Sequence, residues 1–542
     1  MRIFLLSLLL FVQTAIYAQL EMHVFGLEQY SDFMNKKTQV KIKTYENGKL
    51  INNLHAGIEY HGQSSKLHPK KNYDFELRDE AGNEIKKALF GMQTGDDFIL
   101  NSLAYDGSYI RNALVFECWE KMGYWSPDYR YLNLYIDEEY QGLYLLCEKI
   151  KVDEGRVNFE YSDSTQTNYL FKLGRYWYNK KVFWIYQPND PAHLAGGTIS
   201  FKSIYPKHKK RNRHKIESLA VYLTAVSHEL AQKEFEFGFN EDLPEGDIDL
   251  QSFIDYFLIS ELTKNPDAYI ANIYFMLQSI NADGKKLLSV GPQWDYDLAF
   301  GNTKKEFFNT TNGWNYIHQS QTPRNDVLFW WNSLSNLTTY KTACKNRLQE
   351  LSVLFNSNNQ HFNSIVDSLT SIVRPYYEMD STLWNNGSVD LPSNLHPHQG
   401  LNQEVNSLLT FFNKRLKWVF SNLDQLPKSN NPVHALLTRS KGNFFPIEQN
   451  HLNLNYPPNN SERKLPSYYT YELYNPNGLV IEEGILGYEI INIPLNNLKK
   501  GRYFLHLQEN EGYYDDPNRE LIKPSISAVE PYEDLYYQFT VG

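Results

Sequence analysis

Hydrophobic and polar residues alternate with two different periods along the chain, and these periods separate predicted strands from predicted helices. Residues 20–80 favour short strands: apolar and polar positions alternate from Thr38 to Lys43, and a turn follows at Asn47-Gly48. Residues 130–149 predict a hairpin. Leu, Phe and Trp recur at helical spacing in five segments: 107–123, 216–233, 250–264, 326–375 and 400–422. Strands dominate early and helices later, which predicts an α+β layout with a sheet-rich lobe followed by a helical lobe.

The two ends of the chain differ from this main body. Residues 1–18 combine Arg2, an apolar run and a small final residue, a pattern typical of a signal peptide. The apolar run is too short to span a bilayer, which needs about 20 residues. Residues 427–434 predict a polar linker after a main domain over 19–426. Residues 435–542 are rich in short alternating runs, Asn, Gly and Pro, and predict a small all-β sandwich.

Composition excludes or disfavours several classes of function. The net charge of −10 disfavours nucleic acid as a partner. No later stretch approaches 18 apolar residues, so we expect no transmembrane segment in the mature chain. The patterns of zinc peptidases and of serine hydrolases are both missing from the sequence. Cys118, Cys147 and Cys344 lack metal-site spacing, and the sequence leaves one disulfide among them open.

The sharpest chemical pattern lies between a predicted helix and a predicted hairpin. Asn272 follows Asp267 by five residues, the spacing of the protein-kinase catalytic loop. In that loop the Asp orients or deprotonates the attacking hydroxyl, and the Asn helps to hold a metal. Strand-like runs over 273–277 and 286–290 then lead to Asp295, where a kinase fold places a Mg²⁺ ligand. Spacing alone leaves a second interpretation open, an ordinary structural connection between a helix and a hairpin.

Six ordered segments of the chain resemble the CotH family of atypical, protein-kinase-like phosphotransferases, as its exported Bacteroidetes-type members are written. The segments are Gly62 to Ser65 with Pro69 to Lys71, Tyr109 to Asn112, Glu139 to Tyr144 with Glu148 to Lys151, Glu261 to Asp267, Gly291 to Asn302, and Phe329 to Trp331. The resemblance implies an atypical two-lobed kinase-like fold. It also implies ATP-dependent phosphorylation of Ser or Thr in exported proteins, with Mg²⁺ or Mn²⁺ as the metal.

The resemblance assigns the chemistry residue by residue. By position, Asp267 resembles the catalytic Asp and Asp295 the metal-binding Asp. Asp297 ranks second as a metal ligand, because relatives often carry Asn there. Asn272 is placed by its spacing more than by the motif.

The same resemblance implies a set of nucleotide-binding residues. The set consists of Lys70, Lys71, Gly62, Ser64, Ser65, Glu148 and Arg111. Lys70 is the first candidate for contact with phosphate, and Lys71 the second. Gly62, Ser64 and Ser65 would bring backbone N–H groups to phosphate. Glu148 would contact the nucleotide at the hinge between the lobes or pair with a lysine. Arg111 would contact phosphate. Each residue also has a structural alternative. Residues 62–65 would form a plain turn, and Lys70 and Lys71 would be solvated. Glu148 would be an exposed residue at the end of a strand, and Arg111 would form an ion pair.

Two departures from the family keep a second class of function open. His61 stands where the family has Arg, and Gly174-Arg175 stands where relatives often have Asp-Lys. Both are consistent with a catalytically silent, kinase-like scaffold or surface-binding protein.

The tail carries a resemblance of its own. Its segments at 471–480 and 498–505 resemble a C-terminal sorting domain of type IX secretion. That resemblance implies contact with secretion machinery and a secreted or cell-surface location. A plain β-sandwich accessory domain is the alternative.

Overall fold

The computed structural model describes most of the main body and the strands of the tail. The described residues are 19–27, 37–62, 66, 68–159, 167–174, 183–186, 198–207, 209–236, 248–279, 286–321, 327–355, 360–384 and 398–426, with short strands between 447 and 541. The predicted signal peptide and linker, and residues Ser64 and Ser65, lie outside the described residues. The chain divides into two compact units. The first comprises residues 1–117, 127–149 and 362–407, and the second comprises 118–126, 150–361 and 408–542.

Seven strands of the first unit close into a barrel. They are β1 (Leu20–Phe25), β2 (Thr38–Glu46), β3 (Lys49–His61), β4 (Asn72–Arg78), β5 (Asp97–Asn101), β6 (Tyr129–Ile136) and β7 (Glu139–Glu148). Their order is β1-β2-β3-β4-β5-β7-β6, and the parallel pair of β1 and β6 closes the barrel. The hairpin of β6 and β7 is the one predicted from the sequence.

The barrel core explains the alternating pattern of the early strands. In β2, Val40 and Ile42 are buried, whereas the intervening Lys41 is exposed. Because successive side chains of a strand point to opposite faces, every second residue contributes to the interior. Met22 and Phe75 reach the same apolar cluster from other strands.

The second unit contains a five-stranded antiparallel sheet. Its strands are β8 (Tyr169–Leu173), β9 (Phe183–Tyr186), β10 (Thr198–Tyr205), β11 (Ile273–Ser279) and β12 (Lys286–Val290), in the order β12-β11-β8-β10-β9. Phenylalanine side chains cover one face. Phe171 stacks on Phe275 at 5.5 Å, and Phe183 stacks on Phe201 at 5.6 Å. The indole of Trp330 packs edge-on against Phe275 at 5.6 Å, which covers that face.

Nine helices are described, and most of the predicted ones are confirmed. They are α1 (Arg111–Lys121), α2 (Arg213–Glu236), α3 (Leu250–Thr263), α4 (Glu306–Asn309), α5 (Asn315–Gln321), α6 (Trp330–Asn336), α7 (Thr338–Glu350), α8 (Gln360–Leu383) and α9 (Leu401–Asn422). The single long segment predicted over 326–375 is wrong in detail. Leu337 adopts an extended conformation between α6 and α7, and α8 continues through Pro375 to Leu383.

The mixture of sheets and helices confirms the α+β class, but the simple order of strands before helices is wrong. Strands β8 to β12 belong with helices in the second unit, and residues 362–407 belong to the first unit. The cause is non-local pairing, since β8 pairs with β11 about a hundred residues further along the chain. Local periodicity carries no information about such a partner.

The tail contains strands, as its sequence predicts. They are β13 (Ile447–Glu448), β14 (His451–Leu454), β15 (Ser467–Tyr474), β16 (Val480–Leu486), β17 (Ile491–Pro494), β18 (Gly501–Glu511) and β19 (Asp534–Val541). They form one sheet in the order β13-β14-β17 and another in the order β16-β15-β18-β19.

Two further questions from the sequence have direct answers in the structure. Cys118, Cys147 and Cys344 carry buried thiols, and no disulfide joins any two of them. Burial raises the pKa of the Cys344 thiol well above its ordinary range. Within the described part of the chain, every helix is too short or too polar to cross a membrane.

Candidate functional site

A short loop between α3 and β11 carries Asp267 and Asn272. Helix α3 ends at Thr263, and Lys264 takes a left-handed conformation with φ 50° and ψ 46°. The Lys264 ammonium then donates to three backbone carbonyls of segment 307–312, at 2.6, 2.9 and 2.5 Å. The left-handed residue ends the helix and turns the chain, and its side chain fastens the start of the loop.

Polar side chains of helix α5 hold the next residues of this loop. Asn315 Nδ2 donates to the carbonyl of Asn265 at 2.7 Å, and Gln319 Nε2 donates to the carbonyl of Pro266 at 2.7 Å. Asn265 Oδ1 in turn accepts from the backbone N–H of Asp267 at 3.1 Å. The backbone at Asp267 is therefore fixed by buried amides rather than by regular secondary structure.

A buried ion pair lies at the end of α3 and positions α5. Glu261 accepts from the N–H groups of Asn315 and Tyr316 at 2.8 and 3.0 Å, and from Arg415 Nη2 at 2.9 Å. The Arg415 guanidinium also donates to the Glu261 carbonyl at 2.6 Å. Both side chains are fully buried. Because the first N–H groups of a helix have no partner inside it, this carboxylate satisfies the start of α5.

The loop brings Asp267 and Asn272 to Asp295, which follows β12. Asn272 Nδ2 donates to Asp267 Oδ2 at 3.1 Å and to Asp295 Oδ2 at 2.5 Å. Both Asn272 and Asp295 have positive φ angles, 58° and 72°. Asn and Asp tolerate this conformation better than other non-glycine residues, but each instance still costs about 1–3 kcal/mol. All three residues are half-buried.

The charges of this group interact strongly. Burial, followed by the charge of Asp267, raises the pKa of Asp295 to about 6, and Lys172 opposes that rise. Burial lowers the pKa of the Lys172 ammonium to about 8, against the attraction of Asp295 and Asp267. Sequence reasoning missed Lys172. The available signal was a lysine within the apolar strand Tyr169–Leu173.

The residues present fit a hard divalent cation. Burial and the charge of Asp267 both raise the pKa of Asp295, and a cation bound by the two carboxylates would offset both effects. Exchange of the amide O and N of Asn272 would add a third oxygen ligand. Asp297 also interacts with Asp295 and opposes the rise in the pKa of Asp295. Across the described ranges, no three His, Cys, Asp or Glu side chains are arranged to hold a metal. A set with so few protein oxygens suits Mg²⁺, which keeps several waters and takes substrate phosphates.

Lys70, the first candidate for phosphate contact, lies in the first unit and is buried. Its side chain is 2% exposed, and Nζ donates to Asp380 Oδ1 at 2.6 Å and to the Leu143 carbonyl at 2.9 Å. Asp380, 1% exposed, also accepts from the Leu143 N–H at 2.7 Å and from the Tyr109 hydroxyl at 2.5 Å. The alternative of a solvated Lys70 is wrong, because this lysine is committed to a buried ion pair.

Arg111 and Glu148 are also buried in the first unit. Arg111 pairs with Asp106 through Nη1, and Nη2 lies 3.7 Å from Glu404. The ion pair that was the alternative for Arg111 is therefore present. Glu148 Oε2 accepts from the N–H of Asp128 at 3.1 Å. Because Glu148 is buried, its interpretation as an exposed strand-end residue is wrong.

Two further candidates lie near the end of β3. Gly62 has a φ of 91°, a conformation that favours glycine. The Lys71 ammonium donates to the carbonyl of Lys66 at 2.7 Å and lies 5.7 Å from the Tyr60 ring centroid. The phosphate-binding roles predicted for this segment stay predictions.

Comparison with known proteins identifies the family. The family model described as CotH kinase protein matches residues 58–419. The chain belongs to the CotH kinase family. A search of curated proteins finds no match. The CotH match contains the group of Asp267, Asn272 and Asp295 as well as the buried pair of Lys70 and Asp380, and it ends before the tail strands. Membership in the CotH family makes this a kinase-like protein.

Proposed function

We propose that this CotH protein is an exported, ATP- and Mg²⁺-dependent phosphotransferase that phosphorylates Ser or Thr of exported proteins. The observation that carries the proposal is the bridging of Asp267 and Asp295 by Asn272, at 3.1 and 2.5 Å, in a half-buried position within the CotH match. An oxygen-rich, solvent-accessible acidic group is what a metal-nucleotide complex requires.

The proposed roles follow from the position of each side chain. Asp267 orients the attacking hydroxyl and accepts its proton, since its backbone N–H is held by Asn265 and the residue is only half-buried. Asp295 and Asn272 would hold Mg²⁺, and Asp297 would be a further ligand. When bound, Mg²⁺ would neutralise negative charge on the phosphates.

The reaction balances without a further reactant. The hydroxyl oxygen of the acceptor forms a bond to the γ-phosphorus, and the bond from that phosphorus to the β,γ-bridging oxygen breaks. ADP leaves with the bridging oxygen and its electrons. The proton of the hydroxyl passes to Asp267 and then to solvent.

Export is proposed from the two ends of the chain. Residues 1–18 have the pattern of a signal peptide. The antiparallel strands between 447 and 541 support a small β-sandwich that engages secretion machinery. The proposed location is secreted or at the cell surface, and the proposed overall fold is a two-lobed atypical kinase.

Calorimetry with ATP and Mg²⁺ or Mn²⁺ tests the proposal on the protein without residues 1–18. We expect wild type and Asp267→Ala to bind, and Asp295→Ala to lose binding. Asp424→Asn, on an exposed side chain of the same unit, serves as a matched control. Intact-mass measurement of exported proteins incubated with ATP should then show added phosphate with wild type and none with Asp267→Ala.

A catalytically silent scaffold is the second candidate function. The observation that favours it is the commitment of Lys70 to Asp380, together with His61 in place of the family Arg. If folded wild type binds no nucleotide with either metal, the phosphotransferase proposal fails and the scaffold stands.

A further inference from the structure

Two lysines lie side by side on the sheet of the second unit. In the antiparallel register, Lys172 of β8 lies opposite Lys202 of β10 on one side and opposite Tyr274 of β11 on the other. Directly opposite residues of antiparallel strands point to the same face of a sheet. The Lys172 ammonium lies 5.0 Å from the Tyr274 ring centroid, which fixes the direction of the side chain along this row.

This row lies next to the acidic group. Asn272 stands two residues before Tyr274, a separation of about 7 Å along an extended chain. The charges of Asp295 and Asp267 both act on Lys172, and the charge of Lys202 opposes them. These three charged groups and the Tyr274 ring are neighbours of Lys172.

Two other lysines of the second unit donate hydrogen bonds to nearby oxygen atoms of the protein. Lys264 holds carbonyls of segment 307–312, and Lys286 donates to the Thr167 carbonyl at 2.6 Å and to Ser279 Oγ at 2.7 Å. Both are bound to fixed internal acceptors. Lys172 instead interacts electrostatically with the carboxylates at which the proposed metal would bind.

Charge balance then indicates a ligand. A divalent cation would neutralise Asp267 and Asp295 and would remove the attraction that they exert on Lys172. The Lys172 and Lys202 ammonium groups repel each other, and an anion with several charges would interact favourably with both. A metal-bound polyphosphate would supply such charges.

We propose that Lys172, with Lys202 beside it, contacts the phosphate chain of ATP in this site, in place of Lys70. The inference rests on the proposed phosphotransferase function. It adds a phosphate-binding residue from the same compact unit as the acidic group. A lysine serves this role as a compact charge on a flexible stem.

Calorimetry of ATP with Mg²⁺, and of adenosine without metal, tests the inference on Lys172→Met, Lys202→Met and Lys172→Arg. We expect Lys172→Met to weaken ATP binding by roughly tenfold to a hundredfold, the size of one charge-assisted contact, and to leave adenosine binding unchanged. Lys202→Met should weaken ATP binding less, and Lys172→Arg should retain most of it. The dependence of ATP affinity on salt should become shallower in Lys172→Met. Lys417→Met, on an exposed side chain of α9, is the matched control.

The outcomes separate this inference from the proposed function. If wild type binds ATP and Lys172→Met binds it equally well, the inference is overturned and the proposed function stands. If Lys172→Met weakens ATP and adenosine alike, its role is structural and the inference is again overturned. If folded wild type binds no nucleotide, both fall together. Circular dichroism verifies the fold of each variant, and Lys172→Arg keeps the test decisive if Lys172→Met is poorly folded.

Discussion

Replacement of Lys70 by Met separates a structural role of this lysine from a nucleotide-binding role. The ammonium is buried, and its partners are the Asp380 carboxylate at 2.6 Å and the Leu143 carbonyl at 2.9 Å. The substitution would leave Asp380 buried with only neutral donors, the Leu143 N–H and the Tyr109 hydroxyl. Loss of one partner of a buried ion pair typically destabilises a protein by about 3–5 kcal/mol, because the remaining charge has no counter-charge.

The structure also sets the size of the expected change in melting temperature. For a unit of 150–250 residues, 3–5 kcal/mol corresponds to a decrease of roughly 6–20 °C. Asp380→Asn should lower the melting temperature by a similar amount, since it leaves Lys70 buried without a counter-charge. The double variant Lys70→Met/Asp380→Asn should be more stable than the sum of the single changes predicts, by about 0.5–3 kcal/mol.

Differential scanning calorimetry of the four proteins, with Lys49→Met as an exposed control on β3, measures these effects. The control should change the free energy of unfolding by no more than about 0.5 kcal/mol. A melting temperature unchanged in Lys70→Met, with ATP binding abolished, would refute the structural interpretation. That result would restore Lys70 as the phosphate-binding lysine.

Four further predictions concern the second unit. Arg415→Met should destabilise this unit by about 3–5 kcal/mol, because it leaves the buried Glu261 carboxylate without its counter-charge. Hydrogen exchange of the N–H groups that start α5 should accelerate, and an unchanged exchange rate would contradict this prediction. Because the pKa of Asp295 is raised to about 6, the folded state binds more protons than the unfolded state between pH 4 and 6. Without metal, the free energy of unfolding contributed by Asp295 should therefore fall as pH rises through that window. Binding of Mn²⁺ with ATP needs the ionised carboxyl, so its affinity should rise toward pH 6 and level off above, whereas a flat profile would show that Asp295 is not a ligand. Gly291→Ala should lower the melting temperature, because Gly291 has a φ of +118° and an added methyl group would lie 2.8 Å from an indole carbon of Trp119. Equal melting temperatures of the variant and wild type would contradict this prediction.

Local patterns predicted much of the secondary structure. Alternation identified the barrel strand Thr38–Glu46, and helical spacing identified α3, whose residues from Ser252 onward are buried. Long-range pairing was not predictable, since neither the parallel closure of β1 on β6 nor the pairing of β8 with β11 leaves a local signal. The conformation of turns was not predictable from the sequence either, because the positive φ of Asp295 depends on surrounding contacts.

The candidate site shows the same division. The spacing of Asp267 and Asn272 and the ordered family segments indicated three of the side chains that the structure brings together. Lys172 escaped notice because a lysine in a strand has no chemical partner until the sheet assembles around it. Sequence therefore determined which residues carry reactive groups and which family the chain resembles. Tertiary structure decided which charges share one environment, because burial and distance set electrostatic interaction, and neither is a property of chain order.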